Sequence, residues 1–249
     1  SKRDGDRLGF PVFPLEWTDP VSKEISSGYR EKGYFSESFV NMLAFLGWNP
    51  GNSKELFTID ELISEFSLER VGKSGAKFDP EKAKWFNQQH LRSKSNSELA
   101  VLMSKDCKYK VSNDFLEKVA ELMKERATFH HELLSEDYFF KSFEDYDQKT
   151  FRKKWKINSI SLVNEFFAEL STIELFNSES IENVFKLFIE RKEIGMGALL
   201  PCLRLILTGK GMGPSLFSIM ELLGEEEVMN RFKEKSMFFE KLFLEKSDT

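Results

Sequence analysis

Long apolar runs, a leader, paired cysteines and an excess of basic charge are all missing from this sequence. No run approaches the roughly 20 apolar residues that a bilayer-spanning helix needs. No N-terminal stretch has the charged, apolar and small-residue order of a signal peptide. The two cysteines, Cys107 and Cys202, have no paired spacing, which excludes a disulfide framework and suits buried thiols in a reducing cytosol. Histidine is scarce too: His90, His130 and His131. Adjacent helical residues point about 100° apart. No third ligand follows His130-His131-Glu132 at a recognisable spacing, so a metal centre is not expected. The formal net charge is −5, and neither part of the chain is basic. Residues 1–100 carry 14 Lys/Arg against 15 Asp/Glu, and residues 101–249 carry 22 against 26. Any surface for RNA must therefore come from uneven placement of charge by the fold.

What is present is an ordinary globular composition, 41% apolar and 31% charged over 249 residues, enough for one large domain or two smaller ones. The first 34 residues are rich in Gly, Pro and aromatics. Gly9 to Trp17 reads as extended, Thr18 to Glu24 as a turn, and a second short extended stretch pairs back as a hairpin. From Ser36 the period becomes helical. Ser36 reads as the cap of a helix carrying Phe39, Val40, Leu43 and Leu46, stopped at Gly47. Thr58 to Glu61 and Ser95 to Glu98 have the capping-box form, and Asp79-Pro80 places a cap before a first-turn proline. Ile59, Leu62, Ile63 and Phe66 make one helix face. Phe115, Val119, Leu122 and Met123 make another, and Leu199 to Leu207 reads as buried on most sides.

Two local strings invite chemistry. Gly209 to Gly213 resembles a phosphate loop, but Arg204 stands where a Walker sequence needs Gly, so a tight interhelical turn is the better reading. Phe151 to Lys156 (FRKKWK) mixes basic and aromatic residues as RNA contacts do, although such runs are more often solvated helix faces.

Longer strings occur in a telling order. Ser1-Lys2-Arg3-Asp4-Gly5 opens the chain, then Tyr29-Arg30-Glu31-Lys32-Gly33-Tyr34, then Asn41 to Trp48 with the form N-x-L-x-x-L-G-W. Phe66 to Val71, Ala76 to Asp79 and Lys82 to Asn87 follow. Pro201-Cys202-Leu203-Arg204, Thr208-Gly209-Lys210, Gly213-Pro214, Leu223-Gly224 and Arg231 come last. This set resembles bacterial-type glutamyl-tRNA synthetases of class I, from their KMSKS-type signature loop onward, with residues 105–195 matching loosely.

The resemblance implies a mainly α fold. Residues 1–105 would hold the signature-loop remnant and a small mixed α/β stem-contact domain with a short β-hairpin. Residues 106–249 would form an all-helical anticodon-binding domain, with a division near 190 left open. No His-x-Gly-His-type string occurs, so the catalytic Rossmann domain is expected to be absent and the chain inactive alone. The resemblance further implies a cytoplasmic monomer that binds tRNA(Glu), from a parent enzyme that uses glutamate and ATP with Mg2+. By position, Lys2 matches the signature lysine that acts on ATP phosphates, with Arg3 beside it. Lys73, Lys77, Arg204 and Lys210 are the tRNA-contact candidates. For Arg204 a structural role pairing a buried carboxylate is an equal alternative. The stretch Leu8 to Ser27 is longer than the usual connection after the signature loop, which leaves ATP contact by Lys2 and Arg3 open. The competing reading is a non-catalytic helical RNA-binding or protein-interaction module derived from a synthetase.

Overall fold

The computed structural model describes residues 2–73 and 75–247, less the side chains of Lys2, Asp6, Leu8, Lys246 and Ser247. Among these residues lie twelve α-helices, three short 3-10 turns and one two-stranded sheet. The chain divides into two compact units, Ser1–Ser135 and Glu136–Thr249. No helix among the described residues is long and apolar enough to cross a membrane.

The first unit begins with α1 (Lys2–Leu8). The sequence reading gave this stretch no helix. The returning chain explains the difference: Phe10 N donates to Gly5 O at 3.1 Å, and a Cβ at Gly5 would lie 2.7 Å from Val12. The missing side chain at Gly5 therefore lets residues 10–12 pack down on the helix. The expected hairpin is present, with β1 (Trp17–Thr18) antiparallel to β2 (Ile25–Ser26) and Trp17 opposite Ser26. Its turn is fixed by Asp19, whose Oδ1 accepts from the backbone N–H groups of Val21 and Ser22, both at 2.8 Å.

Helix α2 (Ser36–Ala44) has no side-chain cap of its own. Ser36, the expected cap, turns its hydroxyl to Glu37 instead. The entry to α2 is held by Asn87 of α4 (Pro80–Ser93), which accepts from Phe35 N at 2.9 Å and donates to Thr128 O at 2.7 Å. Asn41, inside α2, acts likewise on residues 55–57: it donates to Glu55 O at 2.9 Å and accepts from Phe57 N at 2.8 Å. Both asparagines are fully buried. The motif residues Asn41 and Asn87 are thus backbone clamps. Asn41→Ala is expected to lower the stability of this unit by about 2–4 kcal/mol, because it strands a buried donor and a buried acceptor. Urea unfolding checks this, and an unchanged midpoint would rule the clamp out.

The locally encoded caps form as read. α3 (Ile59–Glu65) and α5 (Asn96–Asp106) each start with a complete capping box, from Thr58/Glu61 and Ser95/Glu98. Asp79 caps α4 by accepting from Glu81 N at 2.9 Å. α6 (Asn113–Met123) packs on α5, and the 3-10 turn His130–Leu134 packs on both. The buried face of α6 is Leu116, Val119, Ala120 and Met123, with Phe115 and Leu122 only partly buried. This packing keeps residues 106–135 with the first unit, so the compact unit ends some thirty residues beyond the 105/106 division placed by sequence.

The second unit contains α7 (Gln148–Lys154), α8 (Ser159–Leu170), α9 (Ser178–Arg191), α10 (Met196–Thr208), α11 (Leu216–Leu223) and α12 (Glu225–Ser247). α10 is its axis. It packs on α7, α8 and α12 and buries every residue from Cys202 to Thr208. One apolar core runs from Phe143 to Phe239, with Phe166, Phe185 and Phe188 at its centre, so the helices on either side of residue 190 share it.

Candidate nucleic-acid interface

Burying the C-terminal end of α10 leaves its last carbonyls in need of donors. Gly209 takes the left-handed conformation there, φ 69°, and its N–H donates to Leu205 O at 2.9 Å. The Thr208 hydroxyl donates to Arg204 O at 2.8 Å and accepts from Lys210 N at 3.1 Å. Arg231, reaching in from α12, donates Nη1 to Leu207 O at 2.9 Å and to Tyr138 O at 2.7 Å, while its Nε meets Glu227 at 2.7 Å. Arg204 donates Nη2 to Pro214 O at 2.7 Å, which ties the far side of the turn back to the helix. Lys210 and Met212 stand at the tip, with 54% and 86% exposure. Lys210 faces Glu136 at 3.8 Å.

The same turn seats α7. Asp147 N donates to Gly209 O at 2.7 Å, and Gly211 lies directly over the first turn of α7. A Cβ at Gly211 would come 2.1 Å from Thr150 Oγ1 and 2.4 Å from Asp147 Oδ2. Gly211→Ala is therefore expected to displace this junction and cost about 1–3 kcal/mol, the usual scale of overpacking. A thermal melt checks it. Hydrogen bonds from the backbone and hydroxyl of Thr150 hold the Asp147 carboxyl below the usual carboxylate range, so this cap is charged. At the other end of α7, Cys202 Sγ of α10 donates to Lys154 O at 3.7 Å. α7 thus runs antiparallel along α10.

This placement sorts the basic-aromatic run. Phe151 and Trp155 point inward, each 2% exposed, with ring centroids 5.4 and 5.1 Å from Phe239. They are core and offer no face to a base, so only the basic residues of the run remain open to a solvated or RNA-contacting role. The cations Lys149, Arg152, Lys153 and Lys156 are exposed. What sets them apart is the lack of a close ion pair, although Lys149 still acts on the Asp147 carboxylate through space. Lys141, Lys186, Arg191, Lys192, Lys210, Arg231, Lys235 and Lys241 each have a carboxylate within 4.0 Å. Among the described residues, Lys149, Lys153, Lys154 and Lys156 have none, and Arg152 reaches only Gln148 at 3.4 Å. Lys233 likewise has no carboxylate within 4.0 Å among the described residues. Three of the α7 cations also sit in its last turn, at the negative end of the helix dipole.

The other sequence candidates lie in the first unit. Lys73 and Lys77 are exposed in the loop before α4, with no carboxylate within 4.0 Å among the described residues. Arg3 is exposed on α1, whereas Ser1 and the Lys2 side chain lie outside the described residues. His130 faces Asp106 at 3.7 Å and His131 stacks on Phe129. Burial pushes the His130 pKa down. Among the described residues no three His, Cys, Asp or Glu groups converge to hold a metal.

Residues 84–235 match the family model described as an anticodon binding domain, and residues 21–85 match that of the class I tRNA synthetases (E and Q), catalytic domain. The chain belongs to the anticodon binding domain family. Its relatives there are glutamate–tRNA ligases, in agreement with the resemblance carried by the ordered strings. It is 48% identical to the ligase of Parabacteroides distasonis and 47% to that of Flavobacterium johnsoniae, each over 237 residues, 94% of this chain and 47% of the relative. A solved glutamate tRNA ligase from Elizabethkingia meningosepticum superposes with a TM-score of 0.88 at 41% identity, covering 95% of this chain and 48% of that one. The chain spans about half the length of the curated relatives it matches.

Proposed function

We propose that this chain is the tRNA-binding half of a glutamate–tRNA ligase, and that the exposed cations of α7 lie along the sugar-phosphate backbone of tRNA(Glu). One observation carries the assignment of the surface. Within the anticodon-binding match, five cations between residues 149 and 156 have no carboxylate within 4.0 Å among the described residues, while eight others in that unit do. A phosphate backbone supplies the countercharge that such a face lacks. Lys210, at the turn tip, would have to leave Glu136 to meet a phosphate, and Arg204 supports that turn by holding Pro214. Lys73 and Lys77 are a second set, suited to phosphates of the tRNA stem.

The whole ligase would join glutamate to tRNA(Glu) through glutamyl-adenylate, using ATP with Mg2+, as a monomer in the cytoplasm. Lys2 and Arg3 would face ATP phosphates, where placed cations act on developing charge. The described residues hold no set of metal ligands, so no step is assigned to Mg2+ here. The chain alone would form no adenylate, and glutamate-dependent ATP–pyrophosphate exchange above background would contradict this. Filter binding tests the RNA reading: tRNA(Glu) should be retained over an unrelated tRNA, with affinity falling as salt rises. Equal retention of both would remove the support for anticodon reading.

A further inference from the structure

The first unit holds a cavity that the RNA reading does not use. Its volume is about 600 Å³, within the usual size of small-molecule sites, and its lining residues all fall between positions 9 and 132. One part of the wall comes from the long 8–27 stretch, through Phe10 and Pro11. The turn before α2, the first turns of α4, the end of α5 and the 3-10 turn at His130 supply the rest. Much of this wall is aromatic. The Phe129 and His131 rings lie parallel within 4°, with centroids 5.6 Å apart, and the Tyr34 ring meets Phe129 edge-on at 4.9 Å. Phe10, held on Phe78 with centroids 4.9 Å apart, adds a further ring. Such walls suit a flat apolar group.

The charged groups of the wall do not balance one another. Glu31 meets Arg30 at 2.9 Å and Lys84 meets Glu81 at 2.8 Å, so both have partners that do not line the cavity. That leaves the carboxylates of Asp106 and Glu132 against the amine of Lys32. Among the described residues no Lys or Arg lies within 4.0 Å of either carboxylate. Asp106 faces His130 at 3.7 Å, but burial pushes the pKa of that imidazole down, so at neutral pH the ring is largely uncharged. Glu132 accepts from Thr128 N at 2.7 Å and Phe129 N at 3.2 Å through Oε2. Lys32 is exposed and also lines a smaller cavity of about 290 Å³, so its flexible stem has a second place to lie.

We propose that the larger cavity binds a small organic cation with a flat apolar body. The body lies against the Phe129, His131 and Tyr34 rings, and the amidinium or ammonium group turns toward Asp106 and Glu132. Aromatic faces attract cations through their quadrupole, and the two carboxylates supply countercharge. A bare metal ion is a poor match, because no three His, Cys, Asp or Glu groups converge among the described residues. An anionic ligand would bring like charge toward those two carboxylates.

Benzamidine, benzamide and benzoate test the proposal on the isolated chain, because they share one shape and differ in charge. Benzamidine should bind with a Kd on the order of 1 mM, and benzamide and benzoate about tenfold more weakly or worse. The histidines report the place. Proton NMR should show the imidazole signals of His130 and His131 shifting with benzamidine, while His90, whose Nε2 lies 3.4 Å from Asn41 Oδ1, stays still. Asp106→Asn, at a side chain 56% exposed, should weaken benzamidine about three- to tenfold and leave benzamide unchanged. Lys32→Gln is the second variant and should strengthen benzamidine about twofold or more. Circular dichroism checks the fold of both. Benzoate bound as tightly as benzamidine, or no saturable binding of benzamidine below about 20 mM, overturns the proposal. So does a shift confined to His90, or an affinity for benzamidine that neither variant moves.

Discussion

Arg231→Met should destabilise the helical unit by about 2–6 kcal/mol, the cost of leaving two buried carbonyls without a donor. The side chain is 2% exposed and serves three segments at once. Its Nη1 satisfies Leu207 O, one of the α10 carbonyls that has no helical donor because the helix ends at Thr208, and also Tyr138 O at the start of the unit. Its Nε meets Glu227 one turn earlier on α12. Methionine fills a similar volume but donates nothing, so two buried carbonyls lose their donor, each worth about 1–3 kcal/mol. Arg231→Lys should lose less, because an ammonium keeps the charge but cannot reproduce the planar fork. Urea denaturation, followed by far-UV circular dichroism, reads both. A loss under about 1 kcal/mol for the methionine variant would mean that other donors take over the two carbonyls.

Arg231 also shows where sequence reading stopped. Features encoded within four residues were legible: the boxes at Thr58 and Ser95, the Asp79-Pro80 start, and the hairpin around Asp19. Features closed over distance were not. Ser36 reads as the cap of α2, but the helix has no side-chain cap, and the N–H of Phe35 just before it is held by Asn87 from 52 residues away. Phe151 and Trp155 are four apart, which suits either a core stripe or a stacking platform, and only packing against Phe239 from α12 decides for the core. The opposite happened in α2 and α3, where the period promised burial that the chain does not provide. Cations posed the hardest case. Arg191 and Lys192 read no differently in sequence from Lys153 and Lys154, yet they face Glu169 and Glu165, 22 and 27 residues away. Which charges remain open to a ligand is a property of tertiary structure, and an overall charge of −5 hides it. The family was legible because the motif strings need no such knowledge.

That pairing pattern gives the second large effect. Reversing Arg152, Lys153 and Lys156 together to Glu should weaken tRNA(Glu) binding by a factor on the order of 100 in 0.1 M salt, and lower the salt slope of log K by about 2–3. The size follows from counterion release: each phosphate contact contributes roughly 0.7–0.9 to the slope, so in 0.1 M salt each lost contact removes a little under one decade. All three side chains are exposed, while the adjacent Phe151 and Trp155 that anchor the helix are untouched. The fold should therefore survive, although charge at the end of α7 will favour its dipole less. Lys186→Glu on α9 is the matched control, because Lys186 is already engaged by Glu182 at 2.6 Å. It should leave the slope unchanged. Titrations of the triple variant, the control and the parent chain across several salt concentrations separate the outcomes. A lower affinity with an unchanged slope would mean that the substitutions damaged the fold and not a phosphate contact. An unchanged affinity would move the RNA to another face, with Lys73, Lys77 and Lys210 the next positions to reverse.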